Sequence, residues 1–440
     1  MNSMNPMNPL HIENTRRSFL GTSIAAGLAL PTAFSLLSAR AHAQDAKSAA
    51  PKLKIAVVGC GGRGTGAMFN AIDAGKTSGY TIEVVALGDL FAERVARANA
   101  GLVQAGIQEV SAQFLFTGFD AYKRVCETDC DVIILATPPG FRSIHFAAAV
   151  EAKKHIFTEK PVAVDGPGVR RFLAAAAKSK ELGLKVVAGT QRRHEQSYIE
   201  AMERIHRGDI GKVVAARCYW NMGSLWNVSP EATKTEVENQ VRNWLYHSWL
   251  SGDHIVEQHV HQLDVMQWVM QADPVLVRGV GGRQSRTDAK LYGHIFDHFG
   301  LEYVYPGDRF VLSMCRQQDG TDGKVEEIIS GSEGMAELNS GVANLTGPKA
   351  WKFNGKQTNP YLQEHVDLQN AIRTSSPLNE GEQVAKSTLV AIMGRMAAYS
   401  GKDVTWEQAL TSDEVLMPEA VEFGPRPEAP VAIPGKGAST

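Results

Sequence analysis

Lys54-Ile-Ala-Val-Val-Gly-Cys-Gly-Gly-Arg-Gly64 decides the fold. Ile55–Val58 are apolar without a break, which suits a strand covered on both faces. Gly59, Gly61 and Gly64 follow at once in the order G-x-G-x-x-G, and a helical pattern begins at residue 63. In a strand–turn–helix, those glycines give a tight turn, a close backbone approach to pyrophosphate, and close packing of helix on strand. The helix N-terminus then faces the phosphates. Gly59, Gly61, Gly62, Arg63 and Gly64 are therefore read as cofactor-binding.

Outward from this turn, apolar strands alternate with amphipathic helices. Strands are expected near 54–58, 81–87, 113–117, 132–136, 155–158 and 185–189. Helices are expected at 63–74, 91–104, 142–153 and 166–182. Such alternation builds a parallel sheet with helices on both faces, so 53–190 is read as a doubly wound Rossmann domain. Asp89 ends the second strand, 30 residues after Gly59. The usual spacing is about 20 residues, and the excess is assigned to a long loop near 75–80. A carboxylate there accepts from ribose hydroxyls and repels a 2′-phosphate, which favours NAD over NADP. Asp89 also suits a helix N-cap, and the two roles are compatible.

From Gln191 the pattern changes. A helix near 197–207, a strand at 212–221, a helix over 253–270 and runs at 275–283, 301–306, 309–316, 325–330 and 334–339 read as an α+β domain over 191–416. Its sheet is expected to be large, open and mostly antiparallel. Residues 417–440 carry five prolines and are expected to be an extended or disordered tail.

The chain begins with a different kind of segment. Thr15-Arg-Arg-Ser-Phe-Leu-Gly21, an apolar stretch and Ala41-His42-Ala43 read as a twin-arginine signal peptide over 1–43, followed by a linker over 44–52. That route carries folded proteins, so a periplasmic or otherwise exported protein with its cofactor already bound is expected. The formal net charge of −2 gives no basic excess for nucleic acid. No later apolar run is long enough to span a bilayer. Cys60, Cys126, Cys130, Cys218 and Cys315 are odd in number and scattered, so they are read as free, with Cys126 and Cys130 one turn apart on a short helix.

Chemistry gathers in three places. Thr158-Glu159-Lys160-Pro161 ends the fifth strand, at the sheet edge where ligands bind. Ala136-Thr137-Pro138-Pro139 ends the fourth, with His145 on the next helix. Glu257, His261 and Asp264 fall at i, i+4 and i+7 on one expected helix, so they share a face. A carboxylate one turn from an imidazole orients it, and histidine is suited to accept a hydroxyl proton near neutral pH. A lysine cation nearby stabilises a developing alkoxide. His254, Glu257, His259 and His261 cluster, but no H-E-x-x-H is present and helical geometry points His259 away from His261, so no metal is expected.

Taken together, the glycine turn, Ala136–Pro139 with His145, Glu159-Lys160-Pro161 and Glu257-x-x-x-His261-x-x-Asp264 resemble the Gfo/Idh/MocA oxidoreductase family. The leader resembles that of the family's exported, glucose–fructose oxidoreductase-like subgroup. The resemblance implies a Rossmann domain plus an open-sheet domain, with a homodimer or homotetramer formed through that sheet. It implies reversible hydride transfer between NAD(P) and a hydroxyl carbon of a sugar, cyclitol or glycoside. It places Lys160 as the active-site lysine, His261 as the catalytic histidine, and Glu257 where many members carry aspartate. Thr137, Pro138, His145, Glu159, Lys160 and Gln191 join the cofactor-binding set. Arg192, Tyr198, Trp244, His259 and Asp264 are substrate candidates, against surface charge for Arg192 and core packing for the tryptophans. A second reading is an NAD-dependent glycosidase that oxidises, eliminates, hydrates and reduces, with Glu257 and His259 supplying the added acid–base steps. A third is a non-enzymatic binding protein on the same fold.

Overall fold

The computed structural model describes residues 50–418 and 420–436. The signal read at 1–43, most of the linker at 44–52 and the last four residues of the tail lie outside the described residues. The first sheet contains β1 (Lys52–Val58), β2 (Thr81–Asp89), β3 (Leu115–Thr117), β4 (Val132–Leu135), β5 (His155–Thr158) and β6 (Val186–Ala188). All its pairs are parallel, in the order β3-β2-β1-β4-β5-β6. The order reverses between β1 and β4, which opens a crevice at their carboxyl ends. The central strand β4 is buried at every residue, as its unbroken apolar run requires.

Two details of this half differ from the sequence reading. Helix Gly62–Ser78 continues through the segment assigned to a loop, and the left-handed Gly79 ends it. The long spacing from Gly59 to Asp89 is therefore taken up in helix. The helix that carries Cys126 stops there, at Ala121–Cys126, so Cys130 lies beyond it. All five cysteines are free and buried.

The second sheet has nine strands. They are β7 (Val213–Met222), β8 (Leu276–Gly282), β9 (His298–Tyr305), β10 (Arg309–Gln317), β11 (Lys324–Gly331), β12 (Met335–Asn339), β13 (Val342–Thr346), β14 (Trp351–Lys352) and β15 (Val404–Thr405). Their order is β14-β13-β12-β11-β7-β10-β9-β8-β15. Every pair is antiparallel except β7 with β10. Strict alternation on β9 and β10 buries one face and leaves the other in solvent.

Two helices that follow the second sheet's first eight strands tie the halves together. Helix Pro360–Thr374 packs on the helix after β1, where Gln369 Nε2 donates to Ala71 O at 2.8 Å and Ser78 Oγ donates to Gln369 Oε1 at 2.6 Å. Helix Gly381–Ser400 is buried on nearly every side. Its Thr388 Oγ1 accepts from Val162 N at 3.2 Å and its Arg395 donates to Val164 O at 2.7 Å. These contacts fix the turn after Lys160 against the second sheet's helical layer. Beyond Met417 the described chain has no helix or strand but is packed, with Met417 buried among Phe91, Val164 and Trp249. None of the described helices is long and apolar enough to cross a membrane.

Candidate active site

The glycine turn is shaped for a ligand. Gly59 has φ +98°, and a Cβ on it would lie 2.6 Å from Ala136 C and Thr137 N. A Cβ on Gly64 would overlap Gly59 O, so helix and strand touch only because both residues are glycine. A Cβ on Gly62 would meet nothing within 4 Å, which leaves open space before the helix N-terminus. That is a cradle for phosphate, and the residues present fit a dinucleotide. Asp89 faces it, with Cys60 N donating to Oδ2 at 2.7 Å and Phe91 N to Oδ1 at 2.9 Å. Phe91, rather than Asp89, is the N-cap residue of helix Ala92–Gln104.

A cavity runs from this turn along the crevice. Its first part, about 320 Å³, is lined by Gly59, Gly61, Gly62, Asp89, Pro138 and His145 among others. The second part, about 510 Å³, contains Glu159, Lys160, Glu257 and His261. Arg63, Ala136, Thr137 and Trp244 line both, so the two parts adjoin. Phosphate cradle and candidate chemistry thus share one crevice.

Lys160 is held at the end of β5 and points across the crevice. Its Nζ donates to Glu257 O at 2.7 Å and lies 3.8 Å from Glu257 Oε1. Burial pushes its pKa down, while Glu257 and Glu159 oppose the shift. His261 stacks on Trp220 with ring centroids 5.5 Å apart, and neither ring nitrogen has a hydrogen-bond partner among the described residues. Burial, then the charges of Lys160, Arg192 and Arg63, hold its pKa well below the ordinary value. At neutral pH His261 is therefore an uncharged base facing the cavity. His145 is pushed down to about 3 by burial and the charge of Arg142, and its Nδ1 lies 3.2 Å from Thr137 Oγ1.

The expected continuous helix over 253–270 is broken. His254–Glu257 and Val260–Met270 are separate helices, and Gln258 and His259 lie between them. His259 N reaches back five residues to His254 O at 3.1 Å, so the i, i+4, i+7 face does not form. Asp264 is turned away from the cavity. Arg193 Nε donates to it at 2.9 Å and Ser387 Oγ at 2.7 Å, and Gln383 Nε2 also donates. His259 is buried behind the site with its Nε2 2.7 Å from Ser313 Oγ, and burial pushes it down to about 3. Tyr198 donates to Glu327 Oε2 at 2.8 Å, and Arg192 lies 3.5 Å from Glu327 Oε1, both in the interior. Gln191 is buried on the turn after β6 and lines neither part of the cavity. Of the substrate candidates, only Trp244 lines the cavity.

Arg142, Asn359 and Tyr361 are among the cavity residues that were not read from the sequence. Arg142 is fully buried and donates to Pro161 O and Thr137 O, joining the turns after β5 and β4. Burial lowers it to about 10. A lone arginine in the apolar run of helix Pro139–Glu151 was the signal available. Asn359 and Tyr361 arrive from the head of helix Pro360–Thr374. The Tyr361 ring packs on the Arg63 guanidinium at 4.9 Å, and Arg63 pairs with Glu159.

Comparison with known proteins completes the picture. Residues 53–187 match the model of the oxidoreductase family with an NAD-binding Rossmann fold, and 198–337 match the GFO/IDH/MocA C-terminal domain. The chain belongs to the Gfo/Idh/MocA family. It is 26% identical to inositol 2-dehydrogenase of Salmonella paratyphi B over 316 residues, 72% of this chain and 82% of that protein. It is 26% identical over 247 residues to scyllo-inositol 2-dehydrogenase (NAD(+)) of Bacillus subtilis, covering 56% of this chain and 61% of the relative. Among solved structures, aldose-aldose oxidoreductase from Caulobacter crescentus superposes with a TM-score of 0.63 at 20% identity, over 80% of this chain and 99% of that one. Like other Gfo/Idh/MocA members, this protein is an oxidoreductase with a nicotinamide-binding Rossmann domain.

Proposed function

We propose that this Gfo/Idh/MocA protein is an NAD-dependent dehydrogenase acting on a secondary alcohol of a sugar or cyclitol. The observation that carries this reading is the single crevice joining the phosphate cradle to Lys160 and His261. A dinucleotide held by the glycine turn and Asp89 would supply the hydride acceptor. His261, uncharged and without a hydrogen-bond partner among the described residues, takes the hydroxyl proton. The Lys160 ammonium, anchored on Glu257 O, stabilises the alkoxide as the proton leaves. Glu257 positions Lys160. Arg142 fixes the two turns that carry Thr137 and Lys160.

The finer assignments follow. NAD is favoured because Asp89 lines the cradle and repels a 2′-phosphate. The leader supports export by the twin-arginine route to the periplasm, with the cofactor resident and reset by a second substrate or an external acceptor. The substrate reading is supported by relatives named as inositol dehydrogenases and an aldose oxidoreductase. The redox-neutral glycosidase is less well supported, since His259, one of its two added acid–base groups, is buried away from the cavity.

The test is to incubate purified protein, with its bound cofactor, against sugars, inositols and glycosides and weigh the products. A product lighter by two hydrogens, with any glycosidic bond intact, is expected. Release of a sugar at unchanged oxidation state contradicts the dehydrogenase and returns the glycosidase.

A further inference from the structure

The adenosine half of a dinucleotide lies in the crevice outside the carboxyl ends of the strands. Here the part of the cavity beside Asp89 has a roof. Trp226, Val241 and Trp244, all from the segment after β7, line it together with Phe91 and Phe119 of the Rossmann half. The two indoles meet edge to face with centroids 6.3 Å apart. Trp226 stays 50% exposed, so core packing does not account for a large aromatic at this position. An open indole face at the rim of a nucleotide cavity is suited to stack on a purine.

The roof is fastened to the wall beneath it. Arg242, next to Val241, pairs with Glu93 Oε1 at 2.6 Å and lies over the Phe91 ring at 3.8 Å. The end of the chain adds a second fastening. Phe423 sits 5.0 Å from Phe119 and 6.4 Å from Phe91, centroid to centroid. Val237 N donates to Gly424 O at 3.2 Å, and Gln240 Nε2 to Arg426 O at 2.8 Å. Arg426 lies over Trp249 at 4.4 Å. Glu428 ends the series between His247 Nδ1 at 3.0 Å and His294 Nδ1 at 2.5 Å. The arm therefore binds both helix Glu236–Arg242, which carries Val241 and leads into Trp244, and the two phenylalanines that line the cavity.

We propose that Trp226 and Trp244 are binding residues for the adenine side of the cofactor, and that the arm from Phe423 to Glu428 latches them over it. The dinucleotide is then a resident group, loaded before the latch forms and released slowly. This deepens the resident-cofactor reading above and rests on it.

The test is exchange of bound for isotopically labelled NAD, followed by mass spectrometry of the released dinucleotide. Wild type, Trp226→Ala and Phe423→Ala are compared. Both substitutions are expected to speed exchange by about 10-fold or more, the size of a lost base–aromatic contact. Equal exchange rates in wild type and both variants overturn the proposal, as does a wild-type protein that loses its dinucleotide on simple dialysis. If Phe423→Ala does not fold, Trp226→Ala decides alone, because its half-exposed side chain contributes little to the core. Rapid wild-type exchange alongside intact polyol oxidation removes the latch and leaves the dehydrogenase standing. Slow exchange, accelerated by Trp226→Ala, with no polyol oxidised does the reverse.

Discussion

Lys160 and His261 come from distant parts of the chain, and the account asks different things of them. His261→Asn removes the proton acceptor and is expected to lower kcat by about 10²- to 10⁴-fold. Because His261 faces the catalytic end of the cavity, bound dinucleotide should be retained, and mass spectrometry of the variant checks this. The pH profile follows from the direction of its shift. A histidine held well below its ordinary value stays in the active, neutral form as pH falls through about 6.5. The acid limb of kcat/KM should therefore lie well below that pH. Lys160→Ala removes the strongest of the charges that hold His261 low and should move that limb back upward, which a profile on the residual activity reads. At this scale the sequence was readable where a residue's place in the cavity is set by its neighbours in the chain. Glu159-Lys160-Pro161 and the glycines belong to this class. It was unreadable where the role is set across the fold. Asp264 turned out to be claimed by Arg193 and Ser387, and nothing in its heptad-like spacing announces partners 71 and 123 residues away.

Among the elements, the glycine turn carries the most specific expectation. Gly64→Ala places a methyl group on Gly59 O, so β1 and its helix must separate. Loss of bound dinucleotide and a lower Tm are expected together, whereas Gly62→Ala, with open space around it, should keep the fold and weaken only the cofactor. Alternating strands and helices of the first sheet were legible because each buries an unbroken apolar run or one clean stripe. The break at Gln258–His259 was not. It arises from buried partners, the Ser313 hydroxyl for His259 and the Asp253 carboxylate for His254, and apolar periodicity contains no record of them. The parallel pairing of β7 with β10 was invisible for a related reason, since strand direction leaves no mark on alternation. Helix Pro360–Thr374, which supplies Asn359 and Tyr361 to the cavity, lies beyond the matched family segments.

For the whole molecule, the open face of the nine-stranded sheet is the feature that calls for a partner. Phe310, Leu312 and Met314 stand in a row on β10, all exposed, and Val280 on β8, Met335 on β12 and Val342 on β13 are exposed as well. An exposed apolar row of this kind suits an interface, and a second copy of the same face is the expected partner, as the family resemblance implies. Leu312→Glu should yield monomers by light scattering while leaving the Tm of the monomer near that of wild type. An unchanged oligomer, or a wild-type protein that is monomeric, contradicts this. Retention of the dinucleotide also belongs to this scale, because the roof, the arm and the Rossmann wall come from three separate stretches of chain.

The most direct measurement mixes the purified protein, carrying its own oxidised cofactor, with an inositol and with an aldose in a single turnover, and follows the absorbance of reduced nicotinamide. The account predicts that one equivalent per site appears with at least one of them, and that the signal is lost in His261→Asn. No reduction with any polyol, while a glycoside is cleaved at the same site, would contradict it.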